Sequence, residues 1–159
     1  MHPPRKPDLQ PPPDGPRIRP VTDRDLPALL RLEEGFPGDR MSLRQFHSHL
    51  RSPRATLRVI EDGGPAGYCL LLRHAQRPAW RLYSIVVDSA WRGRGLGSRL
   101  LQDAIALARA AGAPALTLEV RKDNTAALAL YRAHGFTQTA IRLGYYEDGA
   151  TAVCLRLDL

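Results

Sequence analysis

VVDSAWRGRGLGSRLL, residues Val86 to Leu101, decides how this chain folds. An apolar run leads into it, since Ile85, Val86 and Val87 are consecutive and read as a buried strand. Beyond it Leu96, Leu100, Leu101, Ala104, Ile105 and Ala108 recur with a helical period up to Ala111, and Gly112 supplies the stop. Between the two lie Gly93, Gly95 and Gly97, which remove side chains where backbone must approach a ligand, and the N–H groups that open the following helix point outward. That arrangement makes an anion site, to which Arg92 and Arg94 add charge suited to a pyrophosphate. The glycines alone fit a plain turn before a helix equally well.

Working outward, the chain alternates strands and helices without an internal repeat. RIRPVTDRDLPALLRLEEGF predicts a short strand and then a helix capped near Thr22 or Asp23, with Leu26, Leu29, Leu30 and Leu32 as its apolar side. SLRQFHSHL predicts a second short helix. ATLRVIEDGGPAGYCLLLR predicts a hairpin turning at Asp62, Gly63 and Gly64. After the glycine loop and its helix, ALTLEV reads as a strand, NTAALALYRAHGF as a helix from about Asn124 to Gly135, and TAVCLRLDL as a last strand. The order is mixed α/β in one domain, residues 17–159, preceded by a Pro-rich tail, residues 1–16, expected to be disordered.

The 159 residues suffice for one core, and a composition 43% hydrophobic and 25% charged is that of a globular domain. No apolar run reaches the ~18 residues of a membrane span, and the N-terminus lacks the apolar centre of a signal peptide, so the expectation is a cytoplasmic protein. Cys69 and Cys154 lie in apolar runs with no ligand neighbours, which favours buried thiols over a disulfide or a metal site. The net charge of +7 raises nucleic acid as a partner, but the arginines are scattered from Arg5 to Arg156 without a dense block, which argues against it. His47, His49, His74 and His134 have no ligand spacing, and no metal is expected.

Of two phosphate-loop spellings, one fails and the other stays a weak rival. A nucleotide-triphosphate loop needs Gly-Lys-Ser/Thr, and no lysine follows the glycines here. A dinucleotide fingerprint puts Ser98 at its third glycine and could take Glu119 as its acidic ribose ligand, but Asp88 to Arg92 separate the glycines from their strand. Arg92-x-x-Gly95-x-Gly97 after IVVD, followed by LEVRKDNTAALALYRAHGF, instead resembles the GNAT superfamily of N-acetyltransferases, most specifically between Leu82 and Phe136. LEVRKDNTAALALYRAHGF and the later GYY are most similar to the group that acetylates a ribosomal-protein alanine.

The resemblance implies a single domain with a mixed, mostly antiparallel sheet, helices on both faces and a V-shaped splay between two central strands. It implies acetyl-coenzyme A as cosubstrate, its pyrophosphate on Arg92, Gly93, Arg94, Gly95, Leu96, Gly97 and Ser98, its pantetheine arm on the backbone of Ile85, Val86 and Val87, and a further contact from Asn124. It implies Glu119 as general base and Tyr131 as general acid. Those types suit the chemistry: an amine must lose a proton to attack a thioester, and a hydroxyl can protonate the departing thiolate. Taken singly, Glu119 reads as a cross-strand partner of an arginine and Tyr131 as a half-buried helix aromatic. The acceptor is a primary amine: a protein or peptide N-terminus, a lysine, an amino acid or a polyamine. FPGDR, with Gly38 where that group carries an aromatic residue, puts the ribosomal acceptor in question. The expected assembly is a monomer or homodimer, and the alternative function is a non-catalytic coenzyme A sensing domain.

Overall fold

Alternating apolar residues and well-placed caps divide the chain into seven strands and four helices among the described residues, which are 15–36, 39–91 and 93–159 of a computed structural model. The strands are β1 (Arg17–Pro20), β2 (Ala55–Glu61), β3 (Pro65–His74), β4 (Arg77–Val87), β5 (Ala115–Arg121), β6 (Thr137–Arg142) and β7 (Ala152–Asp158). The helices are α1 (Leu26–Glu33), α2 (Leu43–Arg51), α3 (Leu96–Ala110) and α4 (Thr125–Ala133). The expected tail lies outside the described residues as far as residue 14. Among the described residues, no helix is long and apolar enough to cross a membrane.

Local chemistry explains the helix starts. Ser42 Oγ accepts from Gln45 N–H at 3.2 Å while Gln45 Oε1 accepts from Ser42 N–H at 2.8 Å, a reciprocal cap that begins α2. Asn124 Oδ1 accepts from Ala127 N–H at 3.1 Å and begins α4. One turn of 3-10 helix, Asp23–Asp25, precedes α1, so the helix proper starts at Leu26, slightly later than expected.

The strands form one sheet in the order β1-β2-β3-β4-β5-β7-β6. Every neighbouring pair is antiparallel except β4 and β5. Each face carries its own core. Leu100, Leu101 and Ala104 of α3 and Leu128 and Tyr131 of α4 pack with Leu116, Leu118 and Val153 on one side. Leu29 and Leu32 of α1 and Phe46 of α2 pack with Val59, Tyr68 and Leu70 on the other. The mixed sheet, covered on both faces, agrees with the expected fold.

Two readings of the sequence need correction. β6 was not foreseen, because all six of its residues are exposed and no buried face imposes an alternation to read. Of the two cysteines expected to be buried, Cys69 is; Cys154 is half-buried, since it sits on the face of β7 opposite Val153 and Leu155, away from α3 and α4. Both thiols are free.

A buried acid closes the corner between β1 and α1. Asp25, 5% exposed, accepts from Arg19 Nη1 at 2.7 Å, Arg19 Nη2 at 2.8 Å and Thr22 N–H at 2.8 Å, and Arg19 reaches on to Glu61 of β2 at 3.1 Å. The Arg19 guanidinium holds the Asp25 carboxyl below its ordinary value, outweighing burial. A depressed acid stabilises the fold above its unfolded pKa of ~3.9, and that contribution is lost as pH falls through the folded pKa. Asp25→Asn should therefore cost about 1.5–3 kcal/mol at neutral pH. The deficit should shrink as the pH drops below about 4. Urea denaturation across that range checks this, and a deficit that stays constant into acid would contradict it.

Candidate active site

The decisive feature is where two neighbouring strands stop pairing. Trp80 pairs with Leu116 and Arg81 with Thr117, and beyond them β4 and β5 share no register. β4 nevertheless runs on to Val87, held by β3, and β5 runs on to Arg121, held by β7. The facing edges of Leu82–Val87 and Leu118–Arg121 are thus left without a strand partner, and backbone groups so exposed call for a hydrogen-bonding ligand or water. A bulge accompanies the parting: Leu71 pairs with Leu82 and Leu70 with Ser84, so Tyr83 is an extra residue. Past it, Ile85 and Val87 face the α3 side while Val86 faces the α1 side, which explains three apolar residues in a row.

The anion cradle sits at the open end of β4. Gly93 and Gly95 hold φ of 80° and 74°, conformations that favour glycine, and an added Cβ at either would meet nothing within 4 Å. Gly95 caps α3, whose first backbone bond runs from Arg99 N–H to Gly95 C=O at 3.1 Å. The N–H groups of Leu96, Gly97 and Ser98 therefore have no partner among the described residues. The Arg94 guanidinium stacks on Trp91 at 4.9 Å, which keeps a cation beside them. Arg92 lies outside the described residues. Ser98 Oγ lies 3.0 Å from His134 Nε2, and His134 Nδ1 donates to Leu130 C=O at 3.0 Å, so the first turn of α3 is tied to the end of α4.

At the vertex, Glu119 meets an arginine. Arg81 Nε donates to Glu119 Oε2 at 2.9 Å and Arg81 Nη2 donates to Tyr145 Oη at 3.1 Å. Burial alone would lower the Arg81 guanidinium, but the adjacent Glu119 carboxylate leaves it above its ordinary value. Glu119 Oε1 has no partner among the described residues, and the side chain is 18% exposed, so that oxygen can take a proton donor from the cleft. Tyr131 is buried, and desolvation raises its hydroxyl well above the ordinary tyrosine range. The hydroxyl makes no hydrogen bond among the described residues, yet none of their buried polar side-chain atoms is unsatisfied, so its oxygen keeps some access to solvent.

Tyr146 links the two. Burial pushes its hydroxyl up to about 12, helped by Tyr145, by Glu119 and, more weakly, by Asp39 of the segment between α1 and α2. Tyr145 and Tyr146 pack edge to face at 5.1 Å, and Arg121 stacks on Tyr146 at 5.1 Å. Arg81, Tyr145 and Tyr146 are site residues that reading the sequence did not single out individually; the arginine that opens RLYSIVVD was the available signal for the first. Asn124, expected to contact a ligand, has its Oδ1 engaged in capping α4.

On the α1 side of β4, an open cavity of about 190 Å³ is lined by Val86, Val87, Asp88 and Ser89 together with Arg31 and Phe36. Glu33, buried at the end of α1, shapes this wall by accepting from Tyr68 Oη and from Met41 N–H, the latter at 2.8 Å. Gly38 lies outside the described residues. The whole arrangement suits a long ligand with a diphosphate at one end, for the α3 N-terminus, and an amide-bearing arm, for the free edge of β4.

Comparison with known proteins is in accord with this geometry. The acetyltransferase (GNAT) family matches residues 23–136. The chain is 39% identical over 117 residues to the N-alpha-acetyltransferase RimI of Mycobacterium tuberculosis, covering 71% of this chain and 72% of that one. It is 31% identical over 122 residues to the ribosomal protein bS18-alanine N-acetyltransferase of Escherichia coli, covering 77% and 81%. The crystal structure of the Escherichia coli ribosomal-protein-S18-alanine N-acetyltransferase is similar at a TM-score of 0.80 and 30% identity, over 90% of this chain and 93% of that one. Ard1 from Thermoplasma volcanium shares the fold at a TM-score of 0.84 and 23% identity, over 91% and 98%.

Two glycines flank the cleft for different reasons. An added Cβ at Gly67 of β3 would lie 2.6 Å from the Val86 carbonyl oxygen, whereas at Gly97 it would meet Leu130 and Val87 at 3.6 and 3.8 Å, ordinary contacts. Gly67→Ala should destabilise by about 1–3 kcal/mol by pushing on β4. Gly97→Ala should be neutral or stabilising, since alanine favours a helix by up to ~1 kcal/mol over glycine. Thermal denaturation of the two variants decides, and equal losses would contradict the account of Gly67.

Proposed function

The chain belongs to the GNAT family of acetyltransferases and is an acetyl-coenzyme A dependent N-acetyltransferase, and from that premise we propose that it acetylates the α-amine of a protein or peptide N-terminus, with Glu119 as base and Tyr131 as acid. The observation that carries this reading is the parting of β4 from β5 with Glu119 on one strand that borders the gap, beside an α4 whose Tyr131 hydroxyl makes no hydrogen bond among the described residues. The names of the relatives, one an N-alpha-acetyltransferase and one a ribosomal protein bS18-alanine N-acetyltransferase, support an N-terminal acceptor.

The thioester supplies an acetyl group that an amine can attack, forming the C–N bond as the C–S bond breaks. Leu96, Gly97 and Ser98 N–H groups, with Arg94, anchor the diphosphate, and the free edge of Ile85–Val87 orients the arm. Glu119 Oε1 accepts the proton that the amine sheds, directly or through one water. An α-amine of pKa ~8 is about a tenth neutral at pH 7, so the demand on Glu119 is modest, which matters for a carboxylate already held by Arg81. Tyr131 faces the sulfur. Because its pKa is raised, outright transfer to a thiolate of ordinary pKa ~8.5 is uphill. The hydroxyl acts first as a hydrogen-bond donor to developing charge, and the proton it passes to the thiolate is replaced by the one Glu119 took from the amine, relayed through water.

Tyr131→Phe should lower kcat by roughly 10² to 10⁴, with little change in coenzyme A affinity. Glu119→Gln should depress activity most near neutral pH and recover part of the loss in alkali, where the amine deprotonates unaided. Thiol release with N-terminal peptides, followed as kcat/KM against pH, tests both. Superimposable profiles for wild type and Glu119→Gln would remove Glu119 from proton transfer.

A further inference from the structure

We infer that Arg81 recognises the carbonyl oxygen next to the acceptor's amine and thereby sets which amines this enzyme prefers. The inference rests on the reading of the site given above. Arg81 is the last residue of β4 to pair with β5, so its side chain starts at the vertex of the gap, where the acceptor meets the base. Its guanidinium is only partly used: Nε is committed to Glu119 Oε2 and Nη2 to Tyr145 Oη, while Nη1 has no partner among the described residues. Glu119 Oε1 is likewise without one. A spare donor and a spare acceptor therefore belong to one ion pair at the mouth of the site. The guanidinium also lies over the Tyr83 ring at 5.3 Å, so the bulge residue and Tyr145 both restrain it.

An α-amine fits that pair and a side-chain amine does not. In an N-terminal residue only two carbons separate the amine nitrogen from a carbonyl oxygen, so an amine presented to Glu119 Oε1 brings an acceptor towards Arg81 Nη1. A lysine or polyamine chain presents methylenes there, which cover the guanidinium without bonding to it, and an uncompensated charged donor is costly. Arg81 also holds the Glu119 carboxylate in place, but that effect is common to every amine. It cancels in the ratio of two acceptors, and carbonyl recognition does not.

The test measures kcat/KM of the full chain for an alanyl tripeptide amide and for isopropylamine, which lacks the carbonyl. Arg81→Met should lower the peptide-to-alkylamine ratio about 10- to 100-fold, the worth of a charge-assisted hydrogen bond. The KM for acetyl-coenzyme A and the thermal midpoint should be unchanged. Arg81→Lys, which keeps charge but loses the fork, should fall between, and Tyr145→Phe, which frees the guanidinium to wander, should lower the ratio by a smaller factor. An unchanged ratio in Arg81→Met, or an equal loss with both acceptors, would overturn the inference while leaving the acetyltransferase reading intact. A wild-type protein that binds coenzyme A and uses neither acceptor would overturn the acceptor reading, and this inference with it.

Discussion

A sheet that stays whole while two of its central strands separate is the constraint on which the rest depends. Backbone edges inside a protein are ordinarily paired, and β4 and β5 give that up past Arg81 and Thr117. The cost is contained because each strand keeps its other neighbour: β3 holds β4 to Val87, and β7 holds β5 to Arg121. α3 and α4 then cover both halves of the sheet with one continuous core, so the gap opens without dividing the domain. The unpaired edges leave backbone groups open to a hydrogen-bonding ligand or water, and Gly67 packs so closely on β4 that an added Cβ would press on the Val86 carbonyl.

Charge in the site is arranged so that each group is usable at neutral pH. Glu119 shares one oxygen with Arg81 and leaves the other without a partner among the described residues. Tyr131 is kept protonated by burial, and Tyr146, likewise raised, is a second reserve of phenolic hydroxyl between it and Glu119. The arginines proposed to meet the diphosphate and the acceptor sit apart, Arg94 after β4 and Arg81 within it.

Much of this was legible in the sequence, and the reasons differ by element. The glycine loop could be read because positive φ at Gly93 and Gly95 demands a particular residue type, and α3 because one of its faces is buried throughout. The caps at Ser42 and Asn124 are short-range chemistry and equally visible. β6 escaped because both its faces are exposed, and the start of β4 at Arg77 was masked by Pro78 in a stretch where the register with β3 is irregular. The parting of β4 and β5 coincides with the Tyr83 bulge, and neither is encoded in the spacing of residues. Its presence was foreseeable only through resemblance, as were the roles proposed for Glu119 and Tyr131. The Arg81–Glu119 pair, by contrast, is the plain reading of Glu119 as an arginine's partner, and the structure contains it.

The central claim is that the gap between β4 and β5 receives the thioester between Glu119 and Tyr131. A crystal structure of the full chain with coenzyme A tests it most directly. The account predicts the pantetheine arm hydrogen-bonded to the backbone of Ile85–Val87, the diphosphate on the N–H groups of Leu96, Gly97 and Ser98, and the sulfur within ~3.5 Å of Tyr131 Oη. Coenzyme A bound with its arm outside the gap, or with its sulfur beyond reach of Tyr131, would contradict it.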